Sequence, residues 1–120
     1  MPSLMRLATE AAKYAATRQT VIATNVANAD TPGFVARDMT PFSPDTDRMP
    51  LRRTHPAHMA GASAQGEAVS VHDARADPNG NTVSLQDQVL RGVEASRAHG
   101  RAVAVYSASL DIIRASLGRG

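Results

Sequence analysis

Apolar residues recur at helical spacing in two stretches of this chain, one at each end. From Ser3 to Ala29, steps of three and four trace two adjoining rows. They are Leu4-Ala8-Ala11-Ala15-Arg18-Ile22-Asn25-Ala29 and Leu7-Ala11-Tyr14-Arg18-Val21-Asn25-Asn28. A stripe of that width predicts one amphipathic helix over 3–29, with Ser3 able to cap its start. Arg18 and Asn25 lie on both rows, and a polar residue on a helix seam more often fixes register or partner than adds stability. From Ser84 onward the steps alternate four and three through Leu85-Val89-Gly92-Ser96-His99-Val103-Tyr106-Leu110-Ile113-Leu117, with Val93 beside them. This predicts a second helix over 84–117, with Ser84 as N-cap and Asp87 three residues on as a capping-box variant. Arg114 and Arg119 suit the negative end of its dipole, and Gly118 can terminate it. Gly92 and Gly100 each cost about 1 kcal/mol relative to Ala in a helix interior. That points to close backbone approach or to a helix that relies on a partner.

Between these stretches the pattern breaks. Pro41, Pro44, Pro50, Pro56 and Pro78, with Gly61, Gly66 and Gly80, exclude a long helix. Val69-Ser70-Val71 reads as a short strand and Asn79-Gly80-Asn81 as a turn. A segment this long without regular structure predicts an irregular region, partly disordered in the isolated chain. The chain thus divides into an N-terminal helix and turn (1–33), a Pro- and Gly-spaced middle (34–82) and a C-terminal helix (83–120). Residues 1–33 and 83–120 together are expected to form one helical core domain. The fold class is mainly α: long terminal helices pairing as an antiparallel, coiled-coil-like hairpin, with short β elements accommodated in the middle.

The junction after the first helix is Asn25-Val26-Ala27-Asn28-Ala29-Asp30-Thr31-Pro32-Gly33-Phe34. Pro32 lacks the N–H that a helix needs and biases Thr31 towards an extended conformation. Pro32 and Gly33 fit the central positions of a type II turn, in which Gly supplies the positive φ. Asn28 and Asp30 can bond nearby backbone and help the chain leave the helix.

Composition changes the picture in one respect. Apolar residues make up 42% of the 120, but much of that is Ala, aromatics are 3% and Trp is absent. Few side chains can fill a deep core, so stability through helices packed on partners is more plausible than a conventional globular interior. The net charge is +2, mixed along the chain rather than gathered in a stripe, which argues against nucleic acid as a partner. Cys is absent, removing disulfides and thiol chemistry. No run approaches the roughly 18 apolar residues of a membrane span, so direct membrane insertion is not expected. Arg6, Glu10 and Lys13 interrupt any signal-peptide core, so work outside the cytoplasm would require export without a cleaved signal.

Candidate chemistry is sparse. His55-Pro56-Ala57-His58 offers two imidazoles, but without the further ligands a metal site needs, and solvent-facing loop His is the simpler reading. Asp45 and Asp47 read as solvated carboxylates. Arg52-Arg53 could meet phosphate or an acidic surface, though a solvated pair fits the mixed charge nearby. No G-x-S-x-G, Walker-type loop or G-x-G-x-x-G is present. An enzyme is not expected, and neither is a cofactor or a metal.

The decapeptide resembles the signature of bacterial flagellar axial proteins of the rod, hook and hook-associated class. There an N-terminal helix ends in Ala-Asn-x-x-Thr-Pro-Gly and an aromatic residue. Asn25, Ala27, Asn28, Thr31, Pro32, Gly33 and Phe34 carry the match, with Phe34 where Tyr is common. Arg37-Asp38, Leu51-Arg52-Arg53-Thr54-His55-Pro56-Ala57-His58 and Gly80-Asn81-Thr82-Val83 look like the proximal rod members of that class. Gln86-Asp87-Gln88 departs from it, since relatives are more acidic there.

The resemblance implies a structural subunit of the proximal rod, exported unfolded by the flagellar type III apparatus without a cleaved signal and assembled in the periplasm. Its partners would be other copies, other rod proteins and the adaptors between membrane ring and rod. Subunit and helix packing would use Leu4, Leu7, Tyr14, Val21, Ile22, Leu85, Val89, Val93, Val103, Tyr106, Leu110, Ile113 and Leu117. Asn25 and Asn28 become candidates for polar contacts between neighbours. The alternative is a cytoplasmic helical-hairpin adaptor that binds a partner protein.

Overall fold

The computed structural model of the chain describes residues 3–44, 68–70 and 76–118, the strand at 68–70 by its backbone. Helix α1 spans Ser3–Ala27 and helix α2 spans Leu85–Leu117, with strands β1, Arg37–Met39, and β2, Ala68–Ser70, between them in sequence. The strands pair antiparallel, Arg37 opposite Ser70 and Met39 opposite Ala68. The fold is mainly helical, as the periodicity predicts. His55, His58, the Arg52-Arg53 pair and most of the stretch expected to be disordered lie outside the described residues.

Helix α1 stops two residues before Ala29 because the chain tightens first. The Asn28 N–H is shared between the Thr24 and Asn25 carbonyls at 3.2 and 3.1 Å, and Ala29 reaches back only three residues to Val26. The Asn28 side chain also donates to the Thr24 carbonyl at 2.8 Å, competing with helix continuation. At the start of α2, Ser84 Oγ accepts from the Asp87 N–H at 3.4 Å. The Asp87 carboxylate turns forward to Arg91 Nε at 2.7 Å rather than back to Ser84, so half of the capping box forms. Gly118 closes α2 by donating its N–H to the Arg114 carbonyl at 2.9 Å.

The helices run antiparallel: Asn25 meets Gln88, Ile22 lies beside Gly92, and Arg18 reaches Glu94. Buried positions recur every seven residues, at Ala8, Ala15 and Ile22 on α1 and at Gln88, Ala95, Ala102 and Ser109 on α2. Spacing of this kind winds two helices into a left-handed coil. On α1 the seam follows the first expected row through Ala8, Ala15, Ile22 and Asn25, while Leu4 and Leu7 are exposed.

On α2 the seam differs from the expected stripe. It keeps one edge, where Gly92, His99, Tyr106 and Ile113 are half-buried, and swaps the other. Gln88, Ala95, Ala102 and Ser109 are inside, and Leu85, Val89, Val93, Val103 and Leu117 are outside. Two physical causes act together. Small side chains let the backbones approach closely, and buried Asn25 needs a polar partner, which Gln88 can supply only if α2 is rotated this way. The interface is therefore lined mostly by Ala, and each buried methyl is worth about 0.8 kcal/mol, against about 1.5–3 for a Leu or Val.

After the turn the chain returns along α1 as an extended strap, residues 34–42, which buries its own Ala36 and Met39. Tyr14 anchors its far end: its ring meets Phe42 at 5.3 Å and its hydroxyl donates to the Thr40 carbonyl. Partial burial pushes the Tyr14 phenol above its ordinary pKa. Tyr14 thus serves the strap rather than the helix seam.

Candidate functional site

The densest polar architecture lies at the closed end of the hairpin, where the signature decapeptide folds against residues 77–91. The turn forms as the sequence predicts. Phe34 N–H donates to the Thr31 carbonyl at 3.3 Å across Pro32-Gly33, and Gly33 has φ +73°. This is the type II geometry that needs Gly at its third position.

A second turn, Asp77-Pro78-Asn79-Gly80, stacks on the first. Gly80 also has positive φ (+82°), and a Cβ on it would lie 3.3 Å from Gly33 Cα. Gly33 N–H donates to the Asn79 carbonyl at 2.9 Å, and Thr82 N–H to the Phe34 carbonyl at 3.0 Å. Asn81, only 1% exposed, is the hub. Its Nδ2 donates to the Asn28 and Thr31 carbonyls at 2.8 and 2.7 Å, bracing the turn that follows α1. Its Oδ1 accepts the Val83 N–H at 2.8 Å, just before α2 begins.

Asn25, also 1% exposed, makes a second junction one turn inside the helix. Its amide pairs with the Arg37 peptide as a strand would: Oδ1 accepts the Arg37 N–H at 3.0 Å and Nδ2 donates to the Arg37 carbonyl at 2.7 Å. The remaining Nδ2 hydrogen goes to Gln88 Oε1 at 3.0 Å. Both donors of Asn25 are used within the chain. Asn28 is likewise engaged, by Thr24, Thr31 and Asn81.

The third junction is ionic. Arg18 of α1 holds both oxygens of Asp38 on β1, at 3.1 and 3.2 Å, and Arg91 of α2 reaches the same carboxylate. Partial burial pushes the Asp38 carboxyl up, but hydrogen bonds from Arg18 and the Met39 N–H, with the charges of Arg18 and Arg91, outweigh it and hold the pKa below its ordinary value. The bond to Asp38 in turn raises the Arg18 pKa. Among the described residues every buried side-chain polar atom has a partner, so the network is closed.

The sequence motifs around Asn25–Phe34 and Gly80–Val83 are therefore brought together. Asp38, Gln88 and Arg91 complete the site, and periodicity alone gives them no role. One signal was available: Arg18 and Asn25 lie on an otherwise apolar seam, and each demands a complementary partner.

This arrangement can hold a shape but offers no reaction centre. Among the described residues no three His, Cys, Asp or Glu side chains gather as a metal ion requires. Among the described residues an open groove of about 530 Å³ lies between α1 and the strap, lined by Val21, Thr24, Asn25, Gly33, Phe34, Val35 and Arg37. No described helix is long and apolar enough to cross a membrane.

Comparison with known proteins agrees with this structural character. Residues 5–34, which are α1 and its turn, match the family described as flagella basal body rod protein. The flagellar basal body rod protein FlgB of Agrobacterium fabrum is 34% identical over 106 residues, covering 80% of this chain and 78% of that protein. A relative this similar over most of both lengths, together with a family match that runs through α1 to the turn, establishes that this chain belongs to the flagellar basal body rod protein family, a family of structural proteins and not of enzymes.

Proposed function

We propose that the chain is a subunit of the proximal rod, polymerised through its terminal helices and helping to connect the membrane ring to the more distal rod. Export by the flagellar type III apparatus without a cleaved signal, and assembly in the periplasm with other rod proteins and membrane-ring adaptors, belong to the same reading. The observation that carries it is the inverted use of apolar residues. Ala and amide side chains fill the intramolecular seam, while Leu85, Val89, Leu90, Val93, Val103 and Val105 of α2 remain exposed. A helix so dressed is unfinished as a monomer, and apolar faces of this kind mark protein interaction sites. An ordinary two-helix core would have buried them.

The test is Val89→Asp and Val103→Asp in the full chain, expressed in a flagellated host that lacks its own copy. Both side chains are outside the hairpin, so helix content and melting temperature should stay close to wild type. Isolated basal bodies should lack the variant, and motility should be lost. Normal basal bodies and swimming would sink the proposal.

A further inference from the structure

We propose that the groove between α1 and the strap receives the C-terminal end of α2 from a second copy of this chain. This deepens the reading of the protein as a self-assembling subunit and rests on it. Three observations converge. The pairs Asn25–Gln88, Ile22–Gly92 and Arg18–Glu94 set the antiparallel register. Carried back to Ser3, it brings the described start of α1 level with about residue 110 of α2, so residues 111–117 continue past it at 1.5 Å per residue. The overhang carries the two most exposed large apolar side chains among the described residues, Ile112 at 70% and Leu117 at 77%.

At the opposite pole, roughly 35 Å away along α2 by the same rise, lies the 530 Å³ groove, with Val35 exposed on its wall and Val26 exposed nearby. The charges correspond as well. Arg37 is exposed at the groove, and Asp111 is exposed on the overhang, where the nearest ion-pair partner given by the structure is Arg114 at 3.8 Å. A protrusion and a receptor at opposite ends of one chain make a heterologous, head-to-tail contact, the kind that propagates instead of closing on itself. The Ile112 side chain enters between Val21 and Val35, and Asp111, its neighbour around the helix, meets Arg37 at the groove's edge.

The chain has no Cys, so engineered thiols report the contact cleanly. Full-length V35C and I112C chains, mixed under mild oxidation, should form a disulfide-linked heterodimer at least tenfold more than T17C with I112C, Thr17 being exposed elsewhere on α1. Equal yields overturn the inference. R37D and D111R should each reduce the V35C–I112C product severalfold, and an R37D chain mixed with a D111R chain should restore it; no restoration counts against the contact. In cells, basal bodies containing the V35C/I112C double variant should yield a ladder of linked copies. If V35C instead captures a different basal-body protein, the second copy is the wrong occupant. A chain that enters basal bodies without cross-linking sinks this contact and leaves the rod reading intact. A chain that cross-links in solution but never enters basal bodies does the reverse.

Discussion

The closed end of the hairpin and its shaft are built on opposite principles. At the closed end, Asn25 and Asp38 each join three segments of chain, Asn81 ties the turn after α1 to the approach to α2, and every buried polar side chain there is satisfied. Along the shaft, Ala8, Ala15, Ala95 and Ala102 line the seam with little area to bury, and apart from Met5 and Ile22 most of the larger aliphatics face outward. Directional bonds specify one geometry, whereas small apolar contacts permit sliding. The difference teaches that the closed end sets the register of the helices, while the shaft contributes little of its own, which under the proposed function leaves its outer faces for neighbouring subunits. The comparison can be broken by showing that closed-end residues matter only in assembly, or that shaft residues govern the fold of the monomer.

The largest effect should come from Asn25→Leu. Leucine cannot replace the three hydrogen bonds, so Gln88 Oε1 and both polar groups of the Arg37 peptide lose their partner in a buried site. At about 1–3 kcal/mol for each such group, the expected loss is roughly 3–5 kcal/mol, enough to unfold a chain with so thin an apolar seam. Urea unfolding followed by circular dichroism measures it. A variant that melts like wild type yet fails to assemble would return Asn25 to the role of an intersubunit contact.

Asp38→Asn comes next. The carboxylate ties Arg18 and Arg91 to the strap, and losing bonds to a charged group of this partial exposure should cost about 2–3 kcal/mol at neutral pH. The folded pKa lies below the ordinary value of 3.8. The contribution is therefore complete above that value and disappears as pH falls through the depressed one. Wild-type stability should decline across that acid window, and the Asp38→Asn curve should lack this part of the decline. Parallel curves for the two proteins would remove Asp38 from the lock.

These residues also mark how far the sequence could be read. Helix existence, the Ser84 cap and the Pro32-Gly33 turn were legible because each is encoded within a few neighbouring residues. The rotation of α2 was not, since it is set by Asn25 finding Gln88 across 63 positions of sequence, and no local periodicity carries that information. Strand β1 escaped for a related reason. Arg37-Asp38-Met39 has no β-branched residue, and it is extended because Asn25 pairs with its backbone and Arg18 with its side chain. Gly80-Asn81-Thr82-Val83 was visible as a motif, but its docking on Thr31-Pro32-Gly33 belongs to tertiary structure.

The sharpest comparison applies one substitution to both regions. Gly80→Ala places a methyl group at positive φ, 3.3 Å from the backbone of Gly33, where neither turn can yield without losing the Gly33–Asn79 bond. The left-handed conformation alone costs about 1–2 kcal/mol, so destabilisation of roughly 2 kcal/mol is expected. Gly100→Ala places the same methyl in the interior of α2 with nothing within 4 Å. There the alanine should stabilise the monomer by about 1 kcal/mol through helix propensity alone. Opposite signs in thermal melts of the two variants are the expected outcome. If Gly100→Ala stabilises the monomer but reduces its incorporation into basal bodies, the missing side chain serves a neighbour's close approach. Destabilisation of the isolated chain by Gly100→Ala would instead show that the shaft is specified internally, and the contrast with the closed end would fail.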